Sequence, residues 1–344
     1  MNTLPEELDV DAMLGRLAEH WGIAAESVQY LPVGAGSYHW SLADADGERS
    51  FVTVDDLDRK PWLGYTRDAV FDGLGRAFDT AVALRRGGLR FVIAPTATLT
   101  GDTLHRVAPR YSLALFPFVP IAERRSTNGA ASPFPHYETP DERAAIVAML
   151  AELHRATPTV GSLPRTLDLE VPGRRGLDAA LGELGSTWDG GPYSEPARQV
   201  LARHAADVVE LLALAERLAT DVARGRTNWV ITHGEPHARN VLRTEDGRGL
   251  VDWDTVAVGP PERDLWMLMD SSTDVALYEA QTGHELDTRA GVFFRLLWDL
   301  SDLASYLAVI RVPHREDEDT ARAYRCITEC VSSRDRWSEL LADR

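Results

Sequence analysis

The sequence predicts an α+β protein in two lobes, β-rich over residues 1–118 and mainly helical over 119–344. Three observations carry this. The first lobe strings together short β-branched and aromatic runs broken by Gly-containing turns. The second is dominated by apolar residues spaced three and four apart. Between them lies "PIAERRSTNGAASPFPHYE", whose Pro, Ser and Gly content reads as a linker with a long loop.

The elements follow in order. Residues 7–20 read as a helix with Leu8, Met13, Leu14 and Leu17 among its apolar positions. "VQYLPVGAGSYHWSLADADGERSFVTVDD" reads as strand, Gly turn, strand, turn, strand, with "DADG" as a hairpin signal. A helix over Asp68–Arg86 is stopped by Gly87 and Gly88. "RFVIAPTAT" and "YSLALFPFV" are two further strand candidates, giving a sheet of about five strands. "TPDERAAIVAMLAELHRAT" opens a helix with a capping box, Thr139 at the N-cap and Pro140 in the first helical position. Further helices are expected over 196–223, 262–282, 287–311 and 316–342.

Composition narrows the function. A net charge of −17 argues against nucleic acid and anionic membranes as partners and is compatible with a cationic ligand, the competing reading being a solvated acidic surface that aids solubility. No run of apolar residues is long enough to span a bilayer. "MNTLPEELDVDAML" has neither the basic nor the apolar region of a signal peptide. The two cysteines, Cys326 and Cys330, share one helix face and form no disulfide framework, which predicts a reduced, cytoplasmic setting.

The chemistry concentrates in "ITHGEPHARNVL", residues 231–242. His233 and His237 flank Glu235 but break the His-Glu-x-x-His order of a zinc helix, and Gly234 with Pro236 opposes a helix. Phosphoryl transfer fits better. It needs a carboxylate that orients a hydroxyl, plus an amide oxygen and a second carboxylate that hold Mg²⁺. His233-x-Glu235, four residues and Asn240 supply the first part of that pattern. "NVLRT" and "GLVDW" then form a hairpin that returns Asp252 beside Asn240.

On "LPVGAGSYHW", "FVTVDDL", "LALFPFV", "ITHGEPHARNVL" and "LVDWDTVAVGPPERDLW", the chain resembles the aminoglycoside phosphotransferase-like kinases, most closely the spectinomycin phosphotransferase-like branch. The resemblance implies a two-lobed protein-kinase-like fold, ATP (with GTP as the alternative nucleotide) and Mg²⁺. It makes Glu235 the catalytic carboxylate, which also meets the acceptor. Asn240 and Asp252 become catalytic magnesium ligands, Asp254 a further ligand or a support, and Asp264 a loop support. Gly34, Gly36 and Ser37 cover the phosphates; Phe118 and Val119 lie at the hinge that meets the base. Trp298, Asp299 and Asp302, near Tyr306 on a late helix, are substrate-wall candidates, with a half-buried amphipathic face as the competing reading. Two departures stand out. The catalytic Asp is Glu235. The strand lysine that grips the phosphates is absent, Val54 or Asp55 standing near its place. Lys60, the only lysine of the chain, is the nearest substitute, ahead of His39 and Arg49. The expected acceptor is a small hydroxylated, cationic molecule. A metabolite kinase and a nucleotide-binding pseudokinase are the rival readings.

Overall fold

The computed structural model describes the chain except residues 2, 6, 7, 35, 121–136, 138, 246 and 333–344. Most of the expected linker and the end of the expected last helix lie outside the described residues.

Contacts divide the chain into two units. The first comprises mainly Thr3–Leu167 and Trp229–Leu286. It opens with α1 (Val10–Trp21), where the Asp9 carboxylate accepts the amides of Asp11 and Ala12 and left-handed Gly22 ends the helix. Strands β1 (Ala25–Leu31), β2 (Ser37–Asp44) and β3 (Arg49–Asp56) follow as an antiparallel meander. Then come α2 (Arg67–Arg86), capped by Thr66, and strands β4 (His105–Arg106) and β5 (Tyr111–Pro117). The sheet order is β1-β2-β3-β5-β4.

Residues alternate between the two sheet faces. Val52 and Val54 of β3 pack with Trp40, Leu113 and the α1 side chains Met13, Leu17 and Trp21. From β5, Ala114 and Phe116 turn to the other side, onto Leu74 and Phe78 of α2.

One strand expectation is corrected. Residues 90–98 form no strand, only single bridges from Val92 to Leu250 and from Thr96 to Leu115. The backbone bonds are shared between two places. Ile93 N–H donates to Leu250 O (3.0 Å), while Thr96 N–H donates to Leu115 O (2.7 Å). Pro95, between them, has no amide to donate. The segment becomes a strap, and β4 takes the ladder position beside β5.

Beyond the linker, α3 (Pro140–Arg155) starts as expected, Thr139 Oγ1 accepting the amide of Glu142 at 3.2 Å. A single turn, α4 (Thr157–Val160), leads out of the unit. The second unit then receives α5 (Arg174–Gly182) and α6 (Ser194–Ala223). The chain returns with β6 (Val230–Thr232) and the hairpin β7 (Val241–Thr244) and β8 (Gly247–Leu250). Strand β9 (Ala257–Gly259) pairs with β6.

The single helix expected over 262–282 is two, α7 (Glu262–Leu265) and α8 (Ser272–Thr282). Leu265 and Leu268 are drawn into the core, and Ser271 starts a new helix by accepting the Asp274 amide at 3.3 Å. The core around the polar motif joins Leu150 and Leu153 of α3 to Ile231, Leu250 and Trp253. The second unit closes with α9 (Thr288–Arg311) and α10 (Glu318–Ser332). Among the described residues, no helix is long and apolar enough to cross a membrane.

Candidate active site

The loop after β6 is held by its own histidine. His233 is fully buried. Its Nε2–H donates to Val251 O (2.9 Å), and its Nδ1 accepts the Glu235 amide (3.2 Å). Burial pushes this imidazole down to about 4, which keeps it neutral in that tautomer. Asp264, at the start of the α7 turn, accepts the amides of His233 (2.8 Å) and Gly234 (2.6 Å). His154 Nε2 lies 3.1 Å from the same carboxylate, and Tyr278 OH lies 2.6 Å from His154 Nδ1. Burial alone would raise Asp264; His154 and Arg263 outweigh it and hold the carboxyl low.

Gly234 is required by geometry. Its φ is +101°, and a side chain there would run into the Arg263 guanidinium. That guanidinium cannot swing aside freely, because it donates to Thr232 Oγ1 and Thr255 O, both at 2.8 Å. Beyond Glu235 the chain tightens. Its carbonyl accepts His237 N–H (2.8 Å) and Asn240 Nδ2 (3.0 Å). Asn240 O in turn accepts Val251 N–H (3.0 Å). The β7–β8 hairpin therefore does what its sequence implies and brings Asn240 to the residue beside Asp252.

Asp252 adopts φ 70°, ψ 60°, the only positive φ at a non-glycine among the described residues. Such a conformation costs on the order of 1–3 kcal/mol and marks a place where a side chain is aimed for a reason. Asp252 is exposed as a residue, but its carboxyl lies among protein atoms. Removal from bulk water, then the neighbouring Asp254, pushes it up to about 7, against the pull of Lys60.

Lys60 is 2% exposed and sits among acids. Its Nζ lies 2.5 Å from Asp254 Oδ2, 2.9 Å from Asp55 Oδ1 and 3.3 Å from Ser37 Oγ. Ser37 also donates to Asp55 at 2.6 Å. Burial opposes the ammonium, but Asp254, Asp55 and Asp252 outweigh it and raise its pKa. Lys60 thus ties the end of the sheet to the loop after β8.

The sequence profile described as the phosphotransferase enzyme family, APH, matches residues 67–294. The chain belongs to that family. The protein StrN of Streptomyces griseus is 29% identical over 276 residues, 78% of this chain and 79% of StrN. Among solved structures, spectinomycin phosphotransferase in complex with ADP and spectinomycin superposes with a TM-score of 0.69 at 14% identity, covering 96% of this chain and 100% of that one. Choline kinase LicA from Streptococcus pneumoniae gives 0.53 at 11% identity, covering 94% and 99%. The kinase-like α+β fold expected from sequence is therefore the fold of this phosphotransferase.

The remaining predicted positions of the phosphotransferase fall as follows. Gly34 and Gly36 lie between β1 and β2 with φ of 71° and 102°, so the turn uses glycine's freedom. Phe118 and Val119 follow β5 and are half-buried; the Arg49 guanidinium lies 3.5 Å over the Phe118 ring. Trp298, Asp299 and Asp302 are on α9 in the second unit, Asp299 buried and the other two half-buried. Tyr306 is raised by burial first, then by Asp302.

Sequence reasoning missed Asp55 as a partner of Lys60, and it missed Arg263 and the His154–Tyr278 pair. Only Asp55 left a signal, an acid in the place of a family lysine. Among the described residues, no three His, Cys, Asp or Glu side chains gather as a metal site. Asn240 and Asp252 nevertheless suit a hard cation whose other ligands are phosphate oxygens and water. Three carboxylates around one ammonium leave an excess of negative charge for such an ion to balance.

Proposed function

We propose that this phosphotransferase moves the γ-phosphoryl group of ATP to a hydroxyl of a small, cationic, polyhydroxylated acceptor, an aminocyclitol or aminoglycoside in the first instance. One observation carries the reading. Glu235, Asn240 and the residue before Asp252 are fastened to one another by two bonds of 3.0 Å, with the His233 ring donating to Val251 O at 2.9 Å. A hydroxyl-facing carboxylate and a magnesium-holding pair thus stand on adjoining, rigid loops.

Glu235 orients the acceptor hydroxyl and takes its proton as the new P–O bond forms. The bond from the γ-phosphorus to the β–γ bridging oxygen breaks, and ADP leaves. Asn240 and Asp252 are the residues that would hold Mg²⁺, with Asp254 behind them. The bound ion would neutralise charge on the phosphate oxygens. Lys60 fixes Asp254 and keeps positive charge beside the triphosphate. The glycines at 34 and 36 and Ser37 cover the phosphates, and the backbone at Phe118 and Val119 meets the base. The lobe division falls between residues 118 and 119, and Trp298, Asp299 and Asp302 are the candidate acceptor wall.

The acceptor class is supported by the likeness to spectinomycin phosphotransferase, solved with ADP and spectinomycin, and by the charge of −17. The choline kinase likeness keeps an amino-alcohol acceptor as the second reading. The test is a transfer screen with Mg-ATP and Mg-GTP over spectinomycin, streptomycin-type aminoglycosides, macrolides and amino alcohols, read by mass spectrometry. A mass gain of one phosphate on an aminocyclitol supports the reading, and gain on choline alone shifts it to the amino-alcohol class. Nucleotide binding with no transfer to any acceptor would favour a pseudokinase.

A further inference from the structure

The loss of the strand lysine raises the question of what touches the phosphates. Lys60 is not free to do so. An ammonium has three donors and no acceptor. Its three neighbours are Asp254, Asp55 and Ser37, all within 3.3 Å, and the group is 2% exposed. Arg49 is held at Ser41 Oγ (2.9 Å) over the Phe118 ring, and Arg59 pairs with Asp56 at 3.4 Å.

His39 has a different position. It lies on β2, two residues from Ser37 and therefore on the same sheet face, opposite Thr53 of β3. Its ring stacks on Phe51 at 5.0 Å and 30°. Nδ1 is 3.2 Å from Thr53 Oγ1. Nε2 points into the glycine turn, 3.3 Å from where a Cβ on Gly34 would stand. When the Thr53 hydroxyl is the donor to Nδ1, Nε2 carries the proton and presents an N–H to that turn.

We propose that His39 is a nucleotide-binding residue of this phosphotransferase, its Nε2–H donating to a phosphate oxygen in place of the absent strand lysine. The assignment rests on the function proposed above. It divides the work of one lysine between two residues: Lys60 fixes the metal-side carboxylates, and His39 contacts phosphate. Burial pushes the imidazole down to about 4, so the donor is neutral at physiological pH. A neutral donor also spares the buried Lys60 a second positive charge nearby. Glycine at position 34 is what lets the phosphate and the imidazole approach each other.

Calorimetric titrations of the full-length protein with Mg-ADP and with adenosine test the assignment. In His39→Leu, Mg-ADP affinity should fall about 10- to 100-fold, while adenosine affinity stays within about twofold. His39→Gln, whose amide N–H replaces Nε2–H, should recover most of the loss. Equal losses for both ligands would make His39 a base-stacking or structural residue and overturn the proposal, as would no loss at all. A second measurement needs no variant to fold well. ¹⁵N spectra of the histidine-labelled parent, with and without Mg-ADP, should show the His39 proton on Nε2 and a shift of that signal on binding. A proton on Nδ1 in the complex overturns the proposal. A parent that binds neither ligand overturns the nucleotide reading itself, and this assignment with it. A parent that binds Mg-ADP but is unaffected by His39→Leu overturns the assignment alone.

Discussion

Glu235 carries one methylene more than the aspartate its family uses, so its reach depends on the loop behind it. That loop is fixed at Glu235 N by His233 and at Glu235 O by His237 and Asn240. In the proposed mechanism the side chain is what meets the acceptor. Replacing it by Gln keeps shape and removes the proton acceptor. We expect kcat for Glu235→Gln to fall about 10²- to 10⁴-fold, with Mg-ATP affinity nearly unchanged in a calorimetric titration. Near-parental kcat would take the residue out of the mechanism.

His233 yields a pH prediction. Its folded pKa is near 4 against an ordinary 6.5. As pH falls below 6.5 the unfolded chain gains a proton that the folded chain refuses until about pH 4. Stability is therefore lost across that window and levels off below it, by roughly 3 kcal/mol from this group. Urea unfolding between pH 7 and pH 4 should show a steeper decline for the parent than for His233→Gln, whose stability at pH 7 is lower. His39 adds to the same window in both proteins, so the difference isolates His233. Parallel slopes would mean that His233 is not buried as a neutral donor.

At the scale of elements, the decisive one is the turn from β6 into the hairpin. It is legible in sequence because the residues that shape its backbone are local, although Asp264 and Arg263 brace it from further along the chain. Gly234 gives the positive φ, Pro236 excludes helix, and the turn between β7 and β8 sets the register that returns Val251 to Asn240. Gly234→Ala forces an L-residue to φ +101° and pushes on a guanidinium pinned by two hydrogen bonds. A loss of about 1–3 kcal/mol in denaturant unfolding is expected, together with reduced kcat. An unchanged unfolding midpoint would show that the loop relaxes at no cost. The strap at 90–98 is the opposite case. Its apolar run reads as a strand, yet its amides bond partly to Leu250 and partly to Leu115, a choice made by elements far away in sequence.

In the first unit as a whole, Lys60 joins the end of the small sheet to the loop after β8. Lys60 and Asp254 are 194 positions apart. Removing the ammonium leaves the buried carboxylates of Asp55 and Asp254 without their cation. Lys60→Met should therefore cost about 3–5 kcal/mol, the usual result of breaking a buried ion pair from one side, and raise KM for ATP. Adding Asp55→Asn to Lys60→Met should restore part of the stability, which a double-mutant cycle by urea unfolding would read as coupling. Additive losses would mean that the two charges do not interact.

The sequence by itself determined the α+β class, the helix cap at Thr139, the meander β1-β2-β3 and the order of groups in residues 233–254. Each of these depends on neighbours a few residues apart, where propensity, capping and turn chemistry act directly. The tertiary structure alone decided that β4 rather than 90–98 flanks β5, that 262–282 breaks at Ser271, and that the one lysine is enclosed by Asp55 and Asp254. These outcomes depend on where distant backbone amides and carboxylates find partners once buried. A buried charge or amide must be paired somewhere, and the partner is fixed by packing across the whole unit rather than by any local pattern.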